Sequence, residues 1–160
     1  ISMFKFPRWD ELPEIDLYMD QVITYLYEHL KQTYYNDEKF ITNAMINNYV
    51  KTEMVPRPLK KHYTRYHIAY FMIVTITKRA YSLNQISELI YMQTSMQHSD
   101  VVRAYNLFMD RFEESLNACF EKRPLPVFPH DNFQQNVMNE VIQCLVTKIH
   151  TEYILSQKES

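Results

Sequence analysis

Apolar residues recur at helical spacing along most of the chain. From residue 10 or 12 to residue 35, Ile15, Met19, Val22, Leu26 and Leu30 step by four, three, four and four, one stripe of a predicted first helix. The polar run NDEK (36–39) ends it. Thr42 is a good N-cap for a second, short helix over 43–51, and Pro56 and Pro58 then force an extended connection. Thr64 caps a third helix, RYHIAYFMIVTITKRAY, apolar enough to be mostly buried. Ser82 opens a fourth, with Gln85 three residues on as its capping-box partner.

Past Met92 the pattern changes. Ser99 and Asp100 open a long helix to about Lys122, where Val102, Tyr105, Met109, Phe112, Leu116 and Cys119 form a heptad seam. A proline-rich linker, RPLPVFPHD (123–131), leads to a last helix over about 132–156 with Val137, Val141, Leu145 and Ile149 on one side. Two arrangements satisfy these seams. Either the two helices pack on each other within one chain, or Val102, Tyr105, Met109, Phe112 and Leu116 form the interface of a homodimer. The segment MVPRPLKKHYT has room for two very short strands, 54–55 and 61–63, joined by a turn. The expected fold is therefore all-α with a small β wing. Its expected division is an N-terminal module over 1–95 and a helical hairpin over 96–160 that serves dimerisation, effector binding or both.

Composition narrows the chemistry. Glycine is absent, although average usage would give roughly eleven in 160 residues. Phosphate-cradling loops and nucleophile elbows need glycine for φ > 0 or close approach, so most nucleotide-dependent enzymes are disfavoured. Cys119 and Cys144 lie in helical patterns and are expected to be buried thiols. The histidines at 29, 62, 67, 98, 130 and 150 are scattered, so neither a metal site nor another cofactor is expected. No apolar run reaches a membrane span and the N-terminus does not read as a signal peptide, which predicts a cytoplasmic protein away from membranes. Asp110 and the pair Glu113–Glu114 are expected to be solvated, and no catalytic constellation emerges. The methionines and tyrosines suit a core first and an unknown small-molecule effector second.

Charge is segregated. Residues 51–79 hold seven cations and one anion, whereas residues 10–38 hold eight anions and one cation. Such separation on a near-neutral chain suits a polyanion-binding patch. On the second helix Ile46, Tyr49 and Val50 share one face, leaving Asn43, Asn47 and Lys51 on the other. Asparagine pairs bidentately with adenine, and Asn47 and Asn48 also suit phosphates, although surface asparagines can simply cap local backbone. Downstream, Arg57, Lys60, Lys61, Tyr63 and Arg65 make a basic element able to reach a neighbouring DNA backbone as a wing.

FITNAMINNYVKTEMVPRP, KKHYTRYHIAYF and SLNQISELI together resemble the N-terminal module of MerR-type winged-helix regulators. In that comparison Tyr49 matches the second tyrosine of the recognition helix, Met54-Val55-Pro56 its exit and Lys61-His62-Tyr63 the wing. Asn47 replaces the family arginine, Asn48 the first tyrosine and Glu53 the glycine before the exit, while NDEKFIT lengthens the turn between the first two helices. PRWDELPEIDLYMDQV with MINNYVK resembles, more specifically and over most of residues 6–95, a bacterial domain-of-unknown-function family, number 1836, regarded as transcriptional regulators. The resemblance implies sequence-specific binding of double-stranded DNA by a dimer. The alternative is an effector- or protein-binding module whose degenerate winged helix no longer contacts DNA.

Overall fold

The third helical stretch forms the axis of the molecule. In the computed structural model, which describes residues 3–36, 39–94 and 100–158, it is a helix over Arg65–Thr77 whose buried residues lie on every side. A helix apolar all round has to be enclosed by others. Five do so, giving in chain order α1 (Met19–Leu30), α2 (Asn43–Lys51), α3 (Arg65–Thr77), α4 (Leu83–Thr94), α5 (Val101–Phe120) and α6 (Phe133–Lys158), with 3-10 turns at Trp9–Glu11 and Lys31–Thr33. The protein is all-α among its described residues.

Local chemistry sets several helix starts. Thr42 Oγ1 accepts the Met45 N–H at 3.2 Å, and the Asp100 carboxylate accepts that of Val102 at 2.9 Å. Ser82 and Gln85 form a reciprocal box, at 2.9 and 3.2 Å. Ser99, the other residue expected to open α5, and Asp37 and Glu38 of the expected stop after α1 lie outside the described residues.

The first helix begins later than the apolar stripe predicts. Pro13 disfavours helical backbone at Leu12. Residues 12–18 instead run irregularly to an antiparallel bridge between Leu17 and Tyr63, with N···O distances of 2.9 and 2.8 Å. Ile15 is therefore 72% exposed, while Val22, Leu26 and Leu30 are fully buried. The two expected wing strands do not form either. Met54 and Val55 are drawn into the core, and Pro56 and Pro58 have no N–H to donate, so Tyr63 pairs with Leu17 and no strand occurs among the described residues.

α5 and α6 pack side by side and run in the same direction, not as the expected hairpin: Arg111 reaches Gln135 and Asn139, while Phe120 meets His150 and Tyr153. Tyr105, Met109, Phe112 and Leu116 are buried there within the chain, and Val102 is half-buried. The seam considered for a dimer is thus occupied by this chain's own residues. The core runs without a break from Phe4 to Ile149, across the boundary expected at 95/96.

The polar side of α5 is engaged as well. Asn106, Asp110, Glu113 and Asn117 recur at helical spacing and hold the extended segment 4–9 along the helix. Asn117 accepts the Phe4 N–H and donates to the Phe4 carbonyl, at 2.8 and 3.0 Å. Glu113 accepts the Phe6 N–H at 2.8 Å, Asn106 accepts that of Trp9 at 2.8 Å, and Arg8 pairs with Asp110 and Glu113. Asp110 and Glu113 are therefore structural partners and not merely solvated charges. Of the cysteines, Cys119 is half-buried and Cys144 exposed, and both are free. Cys144 sits on the outer side of α6, which the helical spacing alone did not separate from the core side.

Among the described residues, four take left-handed backbone in a chain that has no glycine: Glu53, Lys60, Lys61 and Lys122. Lys122 closes α5 in a Schellman arrangement, its N–H reaching the Cys119 carbonyl and that of Arg123 the Ala118 carbonyl. Left-handed backbone costs a non-glycine residue about 1–2 kcal/mol, and glycine's extra chain entropy returns roughly half of that. Lys122→Gly should therefore stabilise the protein by about 0.5–1 kcal/mol in urea unfolding. A loss of stability would contradict this helix end.

Candidate nucleic-acid interface

α2 presents one face to the core and one to solvent. Ile46 and Tyr49 are buried, so Asn43, Asn47, Asn48 and Lys51 are left exposed. The helix stops where Glu53 turns left-handed at φ 58°. The Glu53 N–H reaches the Val50 carbonyl at 3.1 Å and the Met54 N–H the Tyr49 carbonyl at 3.0 Å, again the Schellman pair. Glu53 thus occupies a position that glycine usually fills. The chain leaves the helix there toward a basic turn.

That turn is a type I′ turn. The His62 N–H bonds the Leu59 carbonyl at 2.9 Å, with Lys60 and Lys61 at φ 51° and 66°. Asn-Gly is the usual occupant of such a pair of positions because both need φ > 0. Two lysines there hold charge at an exposed tip at the expense of backbone strain. The turn is anchored from behind. Tyr63 bridges to Leu17, His62 packs edge-on to Tyr18 at 4.6 Å, and buried His67 links the α3 start to the Pro56 carbonyl through Nε2 at 2.9 Å.

An open cleft of about 660 Å³ lies between α2, the start of α1 and this connection, and Asn47, Lys51, Arg57 and Lys61 line it together. Lys60 projects at the turn tip beside it. Among the described residues, none of Lys51, Arg57, Lys60 and Lys61 makes an ion pair. The other three cations of the charge run are engaged in the structure. Arg65 donates to the Leu12 carbonyl at 3.1 Å, Lys78 to the Phe40 carbonyl, and Arg79 to Thr33, while lying over the Tyr34 ring at 4.1 Å and 3.7 Å from Glu152. The patch inferred from charge counting therefore contracts to four cations.

Tyr49, on the inner face of α2 as its helical position predicts, and Tyr63, expected in the DNA-contacting wing, are core residues that are 3% and 4% exposed. Their rings pack on Phe71 at 6.4 and 5.7 Å, and burial pushes the Tyr49 hydroxyl up to about 12. They shape the surface from beneath it. Asn43 and Asn48 are exposed but do not line the cleft; Asn48 borders a shallower depression with Met45 and Lys78. Asp20, which the sequence reading did not select, does line the cleft and puts a carboxylate beside its cations. Only the bridge that brings the α1 start against the turn reveals that neighbour.

An all-helical protein with a short polar helix and a strained basic turn around one open cleft is the class that this geometry defines. Residues 7–110 match the family described as Domain of unknown function (DUF1836), and the chain belongs to that family. The matched stretch runs from the segment before α1 to the middle of α5 and includes every residue of the cleft. No curated protein and no solved structure matches the chain.

Proposed function

We propose that the protein is a DNA-binding transcriptional regulator of MerR-like winged-helix type, with α2 as its recognition helix and the Leu59–His62 turn as a reduced wing. The observation that carries this reading is the convergence of Asn47 with Lys51, Arg57 and Lys61 on one cleft, all exposed and without ion pairs among the described residues. The lysines supply phosphate contacts and fix register, while Asn47 is the group suited to a base edge. A homodimer on a two-fold operator fits this reading, but it would associate through a surface other than the buried part of the α5 seam. Selection of bound duplexes from random DNA tests binding and site symmetry together; a palindromic product is expected, and failure to enrich any duplex would end the proposal.

Asn47→Ala should leave thermal stability nearly unchanged, because an exposed helix residue is being truncated. It should cost about 1–3 kcal/mol in binding the selected site and much less on unrelated DNA. Equal losses on both would make Asn47 a backbone contact only.

Lys60→Asn with Lys61→Gly separates stability from binding. Asn-Gly relieves the type I′ turn, so unfolding should require more denaturant. Loss of two phosphate contacts should lower the slope of log K against log salt by about two. A more stable protein with an unchanged slope would place the turn away from DNA.

Asp20 favours a second reading, since its carboxylate repels phosphate. In that reading the cleft serves an effector or a protein partner, and duplex affinity would be weak at every salt concentration.

A further inference from the structure

On the side of α3 away from α2, the helices α3, α4, α5 and α6 line a half-open apolar pocket of about 80 Å³ that no residue of the basic cleft borders. Ala69, Ile73, Leu89, Ile90, Phe108 and Val141 form much of its wall, and no charged residue among those described lines it. The void has a plain origin in the sequence. α4 buries only Ile86 fully, leaving Leu89 and Ile90 half-buried, and the facing positions on α3 and α5 are the short side chains Ala69 and Ala104.

Its polar neighbours already have partners. Thr77 Oγ1 donates to the Ile73 carbonyl and Thr94 Oγ1 to the Ile90 carbonyl, both at 2.7 Å. The Tyr105 hydroxyl donates to the Pro7 carbonyl and Gln93 Nε2 to the Gln134 carbonyl, both at 2.8 Å. A polar or charged ligand would surrender its hydration and find little to replace it. Water is disfavoured for the same reason, whereas an apolar cavity of roughly 150 Å³ takes up benzene or xenon.

We propose that this pocket is a binding site for a small, uncharged, apolar molecule, from a short alkyl chain to a single aromatic ring. Its volume of about 80 Å³ matches a single ring or a short chain. A single ring fills it with slight outward movement of α4, the helix that buries least. The site does not depend on the DNA-binding reading, and its test uses no DNA.

The experiment titrates the full chain with xenon and with benzene, following methyl resonances by NMR and unfolding by calorimetry. Shifts are expected at the methyls of Ile73, Ile90 and Val141 and not at those of Ile46 and Leu26, which lie in the core outside the pocket. Benzene at ten times its Kd should raise the melting temperature by about 3–5 °C. Ala104→Leu should occupy the space and abolish both effects. Saturable shifts at the predicted methyls support the site. An absence of shifts with both probes, shifts confined to other methyls, or full retention of the effects in a folded Ala104→Leu protein would overturn it. Should Ala104→Leu not fold, the methyl map of the unaltered chain decides alone.

Discussion

Replacing Met109 and Phe112 together by glutamate is expected to leave no cooperatively folded protein at 25 °C. Both side chains are fully buried between α5, α6 and the N-terminal segment, and the Phe112 ring packs on Phe6 at 5.1 Å and on Phe108 at 5.6 Å. Losing a buried phenylalanine costs about 3–5 kcal/mol and a buried methionine about 2–5 kcal/mol through lost transfer energy and cavity formation alone. Two carboxyl groups placed in an interior without partners add a further penalty, because each must either be desolvated as an ion or take up a proton. The total exceeds most of the roughly 5–15 kcal/mol by which a domain is stable. Near-ultraviolet circular dichroism should lose its native signal, and urea unfolding should show no transition. If the seam instead faced a second copy, the same variant would be a folded monomer. A native spectrum with a halved mass would therefore show that the packing of α5 inside one chain is incorrect.

The helices themselves were legible because their information is local. The boundaries of α2, with Thr42 as cap and Lys51 as last residue, follow from side-chain chemistry within ten positions, and Ser82 with Gln85 does the same for α4. What the sequence concealed depends on partners far along the chain. Ile15 fits the periodic stripe of α1, yet Pro13 and the Leu17–Tyr63 bridge pull its segment out of the helix. Asp110 and Glu113 look like solvated charges until segment 4–9 is seen to lie against them, about one hundred residues away in sequence. Tight turns usually rely on glycine for their left-handed positions, and this chain has none. The structure instead makes them with lysine and glutamate, and two of the four left-handed residues are the lysines of the candidate wing. Counting charge gave the patch too many members, because Arg65, Lys78 and Arg79 carry the same formal charge as Lys51 but are held by backbone carbonyls.

Removing that surface charge is the second large effect, and it should leave the fold intact. Lys51, Arg57, Lys60 and Lys61 are exposed and make no ion pair among the described residues, so changing all four to alanine deletes little packing. Each cation that neutralises a DNA phosphate releases condensed counterion and contributes about 0.9 to the slope of log K against log salt. Four contacts give a slope difference near 3.6. Between 50 and 200 mM salt, duplex affinity of the unaltered protein should consequently fall about a hundred-fold further than that of the quadruple variant. Asp20→Asn should act in the opposite direction, since it removes a carboxylate that lines the same cleft, and tighten binding at low salt. The two variants are informative together. Parallel salt curves for the unaltered and quadruple proteins, with no response to Asp20→Asn, would mean that the cleft does not receive phosphate, and α2 would have to be read as a surface for a protein or an effector.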